Sequence, residues 1–468
     1  MTKSAPFWRF WNTDTTRETF LKCLRKDDLL SLRLVCAVTG QGTAPLLFRD
    51  VRVTFRSTTF TRHSRVAALE RIGHHIRRFQ FNTPHSSETF LAPLIDSNTG
   101  EAVSFVYEPY TCAAKDPSTR LSLPCYGSWE LTDLLVRQYP PLFHAAANVP
   151  SFIKALSSMP KLSHLVVSCP SQDKGQRQRR SIVDYALISL RIAIERNTLP
   201  SFKALSLLDV HPAACLYLNP NVGFGSRPSS LRRWRQVRSL RIRIGVPKSG
   251  SSICVDHLKH LHSYLRVFAP CVRRLDFSWL GQRSPCPIAL TADETMRASA
   301  PAIACPTTCN RPLEPLRFAR LRDLKVANTF TDASPIARFI ARHHRAVKHT
   351  HRLRLKFDDT MLRTGTWDEA LEPLTQMSGS DSWKSSSEES GEELVEDSME
   401  VPIMFSPVDE KEDELHKVWD DHMVSRSIRP HHSGLSTLQR AGVKTKELLF
   451  GTEEHMRRIF SSTVLGWR

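Results

Sequence analysis

A short stretch of the form h-x-x-L-x-h, where h is apolar, comes back seven times between residues 76 and 357 of the 468-residue chain. No other feature restricts the fold as much. It reads "IRRFQF" (Ile76, Phe79, Phe81), "LSHLVV" (Leu162, Leu165, Val167), "FKALSL" (Phe202, Leu205, Leu207) and "VRSLRI" (Val237, Leu240, Ile242). It continues with "VRRLDF" (Val272, Leu275, Phe277), "LRDLKV" (Leu321, Leu324, Val326) and a weaker "HRLRLKF". Helical periodicity precedes most of them, in "HSRVAALERIG", "VPSFIKALSSMP", "RRSIVDYALISLRIAIERN", "CVDHLKHLHSYLRVFAP" and "SPIARFIARHHR". Side chains alternate across a strand, so the last two apolar positions of each motif share a face that a helix can cover. One such unit leaves that face wet, and units must stack to dry it. From Leu162 to Leu321 the starts lie 40, 35, 35 and 49 residues apart, a loose period. The pattern predicts an α/β solenoid of helix–strand units over residues 56–375.

The same alternation predicts an outer sheet face from the intervening residues Gln80, Val166, Ser206, Arg241, Asp276, Lys325 and Arg354, with Arg243 and Lys356 two residues further on. Its C-terminal half reads as cationic. Arg241, Arg243, Lys325, Arg354 and Lys356 are therefore candidates for binding a target protein that is acidic or phosphorylated, since guanidinium and ammonium groups pair with such anions. A plain solvated surface would carry the same residues.

Two segments interrupt the array. Residues 84–150, with "DSNTGEAVSFVYEPY" and the helix-like "SWELTDLLVRQYPPLFHAAANV", read as an insertion packed against it. Residues 376–414 are poor in apolar side chains, and 381–414 carry thirteen carboxylates against two lysines, so disorder is expected there. Ser385, Ser386 and Ser390 each stand three residues ahead of a glutamate, the context of acid-directed phosphorylation. Such a polyanionic tail could compete for a cationic face, or serve only as a solubilising linker. Residues 415–468 return to helical periodicity in "KTKELLFGTEEHMRRIFSS".

A formal net charge of +18 suits an anionic partner. The basic stretches "KGQRQRR" (174–180) and "SLRRWRQVRSLRIRIG" (230–245), with Trp234 for stacking, make nucleic acid the alternative partner. Eleven cysteines form no Cys-x-x-Cys pair, and "CPTTC" (Cys305, Cys309) has no companions that would complete a zinc set. The histidine clusters at His74 and His75, at His257, His260 and His262, and at His343, His344, His349 and His351 lack carboxylate or thiolate partners at ligand spacing, and read as solvated turns and helix faces. No metal and no cofactor is expected. There is no P-loop, G-x-G-x-x-G, G-x-S-x-G or H-E-x-x-H, so the reading is not an enzyme. No run of some eighteen apolar residues exists to span a membrane, and the chain reads as a protein of the cytoplasm or nucleus.

The N-terminal residues 14–55 hold a surplus of leucine. "TTRETFLKCLRK" has the Thr15–Glu18 spacing of a capping box, and Asp27 or Asp28 can cap a second helix, "DLLSLRLVCAV", ending before the breakers Gly40 and Gly42. Some forty residues bury too little surface to stand alone. Their apolar side chains need cover from the first repeat, as a structural cap, or from another chain.

"FLKCLRKDDLLSLRLVCAVTGQGTAPLLFRDVRV" resembles an F-box, the short helical motif that links a protein to the Skp-type adaptor of a cullin ubiquitin ligase. The resemblance lies in Phe20 and Leu24, in "DDLLSLRLVC" and in "PLLFRDVRV"; "DTTRETFLKCL" stands where the family usually opens with Leu-Pro, and "VCAVTG" lacks the aromatic that commonly follows Val-Cys. An F-box followed by irregular leucine-rich repeats resembles a class of fungal F-box proteins. The resemblance implies adaptor contacts from Phe20, Leu24, Leu29, Leu30, Leu32, Leu46 and Leu47, and a repeat face for a protein to be ubiquitinated. The alternative is a basic repeat scaffold for nucleic acid or acidic proteins, with no ligase role.

Overall fold

Four helices open the chain: α1 (Pro6–Asn12), α2 (Asp14–Cys23), α3 (Lys26–Arg33) and α4 (Ala37–Leu47). The computed structural model describes residues 6–103, 105, 126–170, 181–221, 229–245, 255–289, 315–346 and 353–375, which fall in one unit of the chain. Two expectations change here. The N-cap of α2 is Thr13 and not Thr15, and "DLLSLRLVCAV" is not one helix. It breaks at Leu34 and Val35, and α4 restarts where the Cys36 amide donates to Thr39 Oγ1 at 3.2 Å. Gly40 and Gly42 lie inside α4 and break nothing. A β-carbon on Gly42 would stand 2.7 Å from Trp11 Cζ2, so this glycine lets α1 approach α4.

From β1 (Asp50–Thr54) onward helices and strands alternate. α5 (His63–Ile72) leads to β2 (Arg78–Asn82), and α8 (Val149–Ser157) to β5 (His164–Ser168). Between them lie β3 (Leu94–Ile95), β4 (Ala102–Val103), α6 (Trp129–Gln138) and α7 (Pro141–Ala147). Next come α9 (Ile182–Arg196), β6 (Ala204–Val210), the short α10 (Ala214–Tyr217) and α11 (Leu231–Trp234), and β7 (Ser239–Gly245). α12 (Val255–Phe268), β8 (Arg274–Leu280), β9 (Ser284–Pro285), β10 (Asp323–Ala327) and β11 (Thr329–Thr331) follow. The last described elements are α13 (Ala333–Ala346), β12 (Arg354–Asp358), β13 (Met361–Leu362) and α14 (Trp367–Thr375).

Eight of these strands form one parallel sheet in the order β1-β2-β5-β6-β7-β8-β10-β12. Sheet order follows chain order without reversal, and the sheet does not close into a barrel. The motif leucines stand in one register row, Leu165↔Leu205↔Leu240↔Leu275↔Leu324↔Leu355. From β2 to β10 the two motif apolars of every strand are buried in a continuous core with the helices. The first motif position, at Ile76, Leu162, Phe202, Val237, Val272 and Leu321, is buried just ahead of its strand.

The described residues between 84 and 150 contribute to this core. Phe143 is fully buried and packs edge-on to Tyr139 and to Tyr185 of α9. Ser189 Oγ donates to the Ala146 carbonyl at 2.6 Å and Asn197 Nδ2 to that of Ile153 at 3.0 Å, which ties α7 and α8 to α9. A second parallel sheet, β13-β11-β9, forms from strands too short to show a period. Segments 376–414 and 415–468, and with them Ser385, Ser386 and Ser390, lie outside the described residues.

Candidate functional site

The N-terminal helices bury Trp11, Leu21, Leu29, Leu47 and Phe48, and none of these joins the main core, which begins at Val53. Such a small cluster leaves much of its apolar surface wet. Ten large apolar residues are exposed among the described ones, and six of them lie within the first 38: Phe7, Phe10, Leu30, Leu34, Val35 and Val38. The last four occupy the corner between α3 and α4. Leu34 is 76% and Val35 71% exposed. Leu30 and Leu34, four residues apart, stand on the same side of α3 and its C-cap.

The seven residues expected to touch an adaptor divide in this setting. Leu29 and Leu47 are buried and hold the helices together. Phe20, Leu24, Leu32 and Leu46 are half-buried, Phe20 edge-on to Phe10 at 5.4 Å, and only Leu30 is exposed. Leu34, Val35 and Val38 were not among the seven. The signal for them was present in the sequence: with a helix break after Arg33, leucine and valine fall in a turn that has no core beneath it.

The outer face of the large sheet is arranged in register rows. One contains Arg78, His164, Ala204, Ser239, Arg274, Asp323 and Arg354, and the next Gln80, Val166, Ser206, Arg241, Asp276, Lys325 and Lys356. This face is not uniformly cationic or solvated. Asp323 receives Arg274 Nε at 3.2 Å and Arg354 Nε at 2.5 Å from its two neighbouring strands. Arg241 pairs with Asp276 at 3.0 Å, while Lys325 and Lys356 converge on Asp358 at 3.2 and 3.7 Å. Four of the five target-face candidates are thus ion-paired within the sheet. Arg243 alone among the five has no carboxylate within pairing distance among the described residues.

Toward β5 and β6 the same face is buried. Val166 and Ser206 are almost inaccessible, and His164, whose Nε2 lies 3.0 Å from Ser206 Oγ, is buried beside them. Burial, with Arg78 and Arg241 nearby, pushes the His164 imidazole down to about 3, so it is neutral at neutral pH.

Other candidates resolve into packing. Trp234 is fully buried and its Nε1 donates to Glu195 at 3.1 Å, so it is not available to stack on a base. His262 and His343 are buried and not on solvated faces. His343 Nε2 accepts from the Phe318 amide at 2.7 Å, and its Nδ1 lies 2.7 Å from the Phe339 carbonyl, consistent with a neutral ring linking a loop to α13. Among the described residues no three His, Cys, Asp or Glu side chains gather at metal-binding distance, and no helix is long and apolar enough to cross a membrane. Cys305, Cys309 and the basic stretch 174–180 lie outside the described residues. No family model matches the chain, and no curated protein matches it.

Proposed function

We propose that this chain is the substrate-recognition subunit of a Skp–cullin–F-box ubiquitin ligase. On this reading residues 14–55 act as an F-box and the helix–strand units as an irregular leucine-rich-repeat solenoid that carries the target. Catalysis belongs to other subunits. The reading is supported above all by the exposed corner of Leu30, Leu34, Val35 and Val38 on helices that share no core with the sheet. Exposed apolar side chains gathered on a small helical element mark a surface that another protein covers. A sheet whose order follows the chain supports the array, because each unit then touches only its neighbours. The buried Trp234 weighs against nucleic acid as the alternative partner.

Co-purification with a Skp-type adaptor tests the proposal. Wild-type chain should recover adaptor in about equal amount. Leu34→Asp with Val35→Asp should lower recovery at least tenfold with an unchanged circular dichroism spectrum, because both side chains are already in water. Leu29→Asp is the unsuitable probe, since it places a carboxylate inside the helical cluster. Absence of adaptor from the wild-type preparation would end the F-box reading.

A further inference from the structure

A cleft of ≈ 260 Å³ lies between the N-terminal helices and the start of the large sheet, and its chemistry is one-sided. Arg17, Glu18, Leu21 and Lys22 come from α2, and Gly42, Pro45 and Leu46 from α4. Arg49 precedes β1, His74 and His75 follow α5, Arg77 precedes β2, and Lys161 precedes β5. Five formal cations and two histidines therefore face a single carboxylate, Glu18. Arg17 is partly satisfied, since its guanidinium donates to Asp14 at 2.5 Å and to the Trp11 carbonyl at 3.2 Å. Lys22, Arg49, Arg77 and Lys161 have no carboxylate within pairing distance among the described residues.

The backbone forces this crowding. The amide of Arg77 donates to the Arg49 carbonyl at 2.9 Å, and that of Ser163 to the Arg77 carbonyl at 2.8 Å. Arg49 and Arg77 thus open adjacent strands, which run about 4.8 Å apart. Elsewhere this sheet places aspartate between neighbouring cations, as Asp323 stands between Arg274 and Arg354. Here it does not. Water and salt weaken the repulsion among these exposed cations, but a counter-charge from outside would weaken it further, and phosphate is an anion that guanidinium grips through paired hydrogen bonds.

We infer that this cleft binds a compact anion carrying two or more neighbouring phosphate groups, which ties the N-terminal helices to the first strands. A single monovalent ion would leave most of the repulsion in place, whereas clustered phosphates can meet cations from α2, from both strand starts and from the turn before β5 together. The cleft includes Leu46, one of the seven expected adaptor contacts, but none of its cations is among those seven or in the Leu34–Val35 corner, so anion binding and adaptor binding can fail separately.

Titration calorimetry and thermal melts of the full chain test this, with pyrophosphate as the probe and sulfate at equal ionic strength as the reference. Saturable binding of one pyrophosphate per chain is expected, with a rise in melting temperature that sulfate does not reproduce. Arg49→Glu with Arg77→Glu should weaken binding at least tenfold, and so should Lys22→Glu with Lys161→Glu, which guards against misfolding of one pair. Arg243→Glu on the sheet face should leave it unchanged. A doubly phosphorylated serine peptide separates the sources: tighter binding than pyrophosphate assigns the phosphates to a protein, weaker binding to a free small molecule. Equal affinity in wild type and both charge-reversed pairs, or no saturable binding of either probe, would overturn the inference.

Discussion

Asn328 stands at φ 55°, and its Nδ2 donates to the carbonyls of Trp279 at 2.9 Å and Gly281 at 3.1 Å in the preceding unit. Asp209 and Asp359 take the same left-handed conformation, and all three residues lie four positions past a motif leucine: Leu205, Leu324 and Leu355. Asn and Asp tolerate this region better than other residues with a β-carbon. Asn328→Ala combines the strain with two lost hydrogen bonds and should lower stability by about 1–3 kcal/mol; Asn328→Gly relieves the strain and should cost less. Urea midpoints of the two variants check the order. His164 makes a pH prediction. Its pKa falls from 6.5 to about 3 on folding, so the unfolded chain binds the extra proton between those values. Its contribution is complete above pH 6.5 and is lost as the pH falls toward 3. His164→Gln, which can keep the bond to Ser206, should therefore lose roughly 2 kcal/mol less stability than wild type between pH 7 and pH 5. Equal losses in the two proteins would refute the assignment.

At the scale of elements, α9 carries a buried ion pair that anchors a helix four residues long. Arg191 Nη1 donates to Glu195 at 3.2 Å, and the same carboxylate accepts from Ser230 Oγ at 2.8 Å and Trp234 Nε1 at 3.1 Å, which seats α11. Glu195→Ala removes the acceptor that buried Arg191, Ser230 and Trp234 share and should cost about 3–5 kcal/mol in denaturant unfolding. Nothing in a helical period announces that network, because Glu195 meets Trp234 across 39 residues. The strands were legible for the opposite reason: h-x-x-L-x-h is local, and burial of one face fixes its register. The outer face was half-legible. Which residues point outward follows from alternation, but Asp323 and Asp358 neutralise their neighbours only once strands are paired. Likewise α1 and the interior glycines of α4 depend on Trp11 meeting Gly42, a contact between segments that no single-segment pattern records.

The molecule as a whole is unevenly knit. Residues 6–48 pack around Trp11, Leu21, Leu29, Leu47 and Phe48, while most buried apolar residues from Val53 onward share one continuous core. The two meet at a cleft where four cations, Lys22, Arg49, Arg77 and Lys161, have no carboxylate partner among the described residues. Such a layout predicts two levels of opening. Trp11→Ala should quicken amide exchange across α1 to α4 and leave the amides of Phe79, Leu165 and Leu205 protected, even though losing a buried tryptophan costs about 3–5 kcal/mol locally. Leu207→Ala, deep in the sheet core, should cost about 2–5 kcal/mol and quicken the strands instead. The contrast bears on function, because a helical element with a small core of its own can gain stability from a partner without any change in the repeat face. If Trp11→Ala loosens the strand amides as much as the helical ones, helices and sheet form one cooperative body. A partner covering Leu34 and Val35 would then have to be felt at the target face as well.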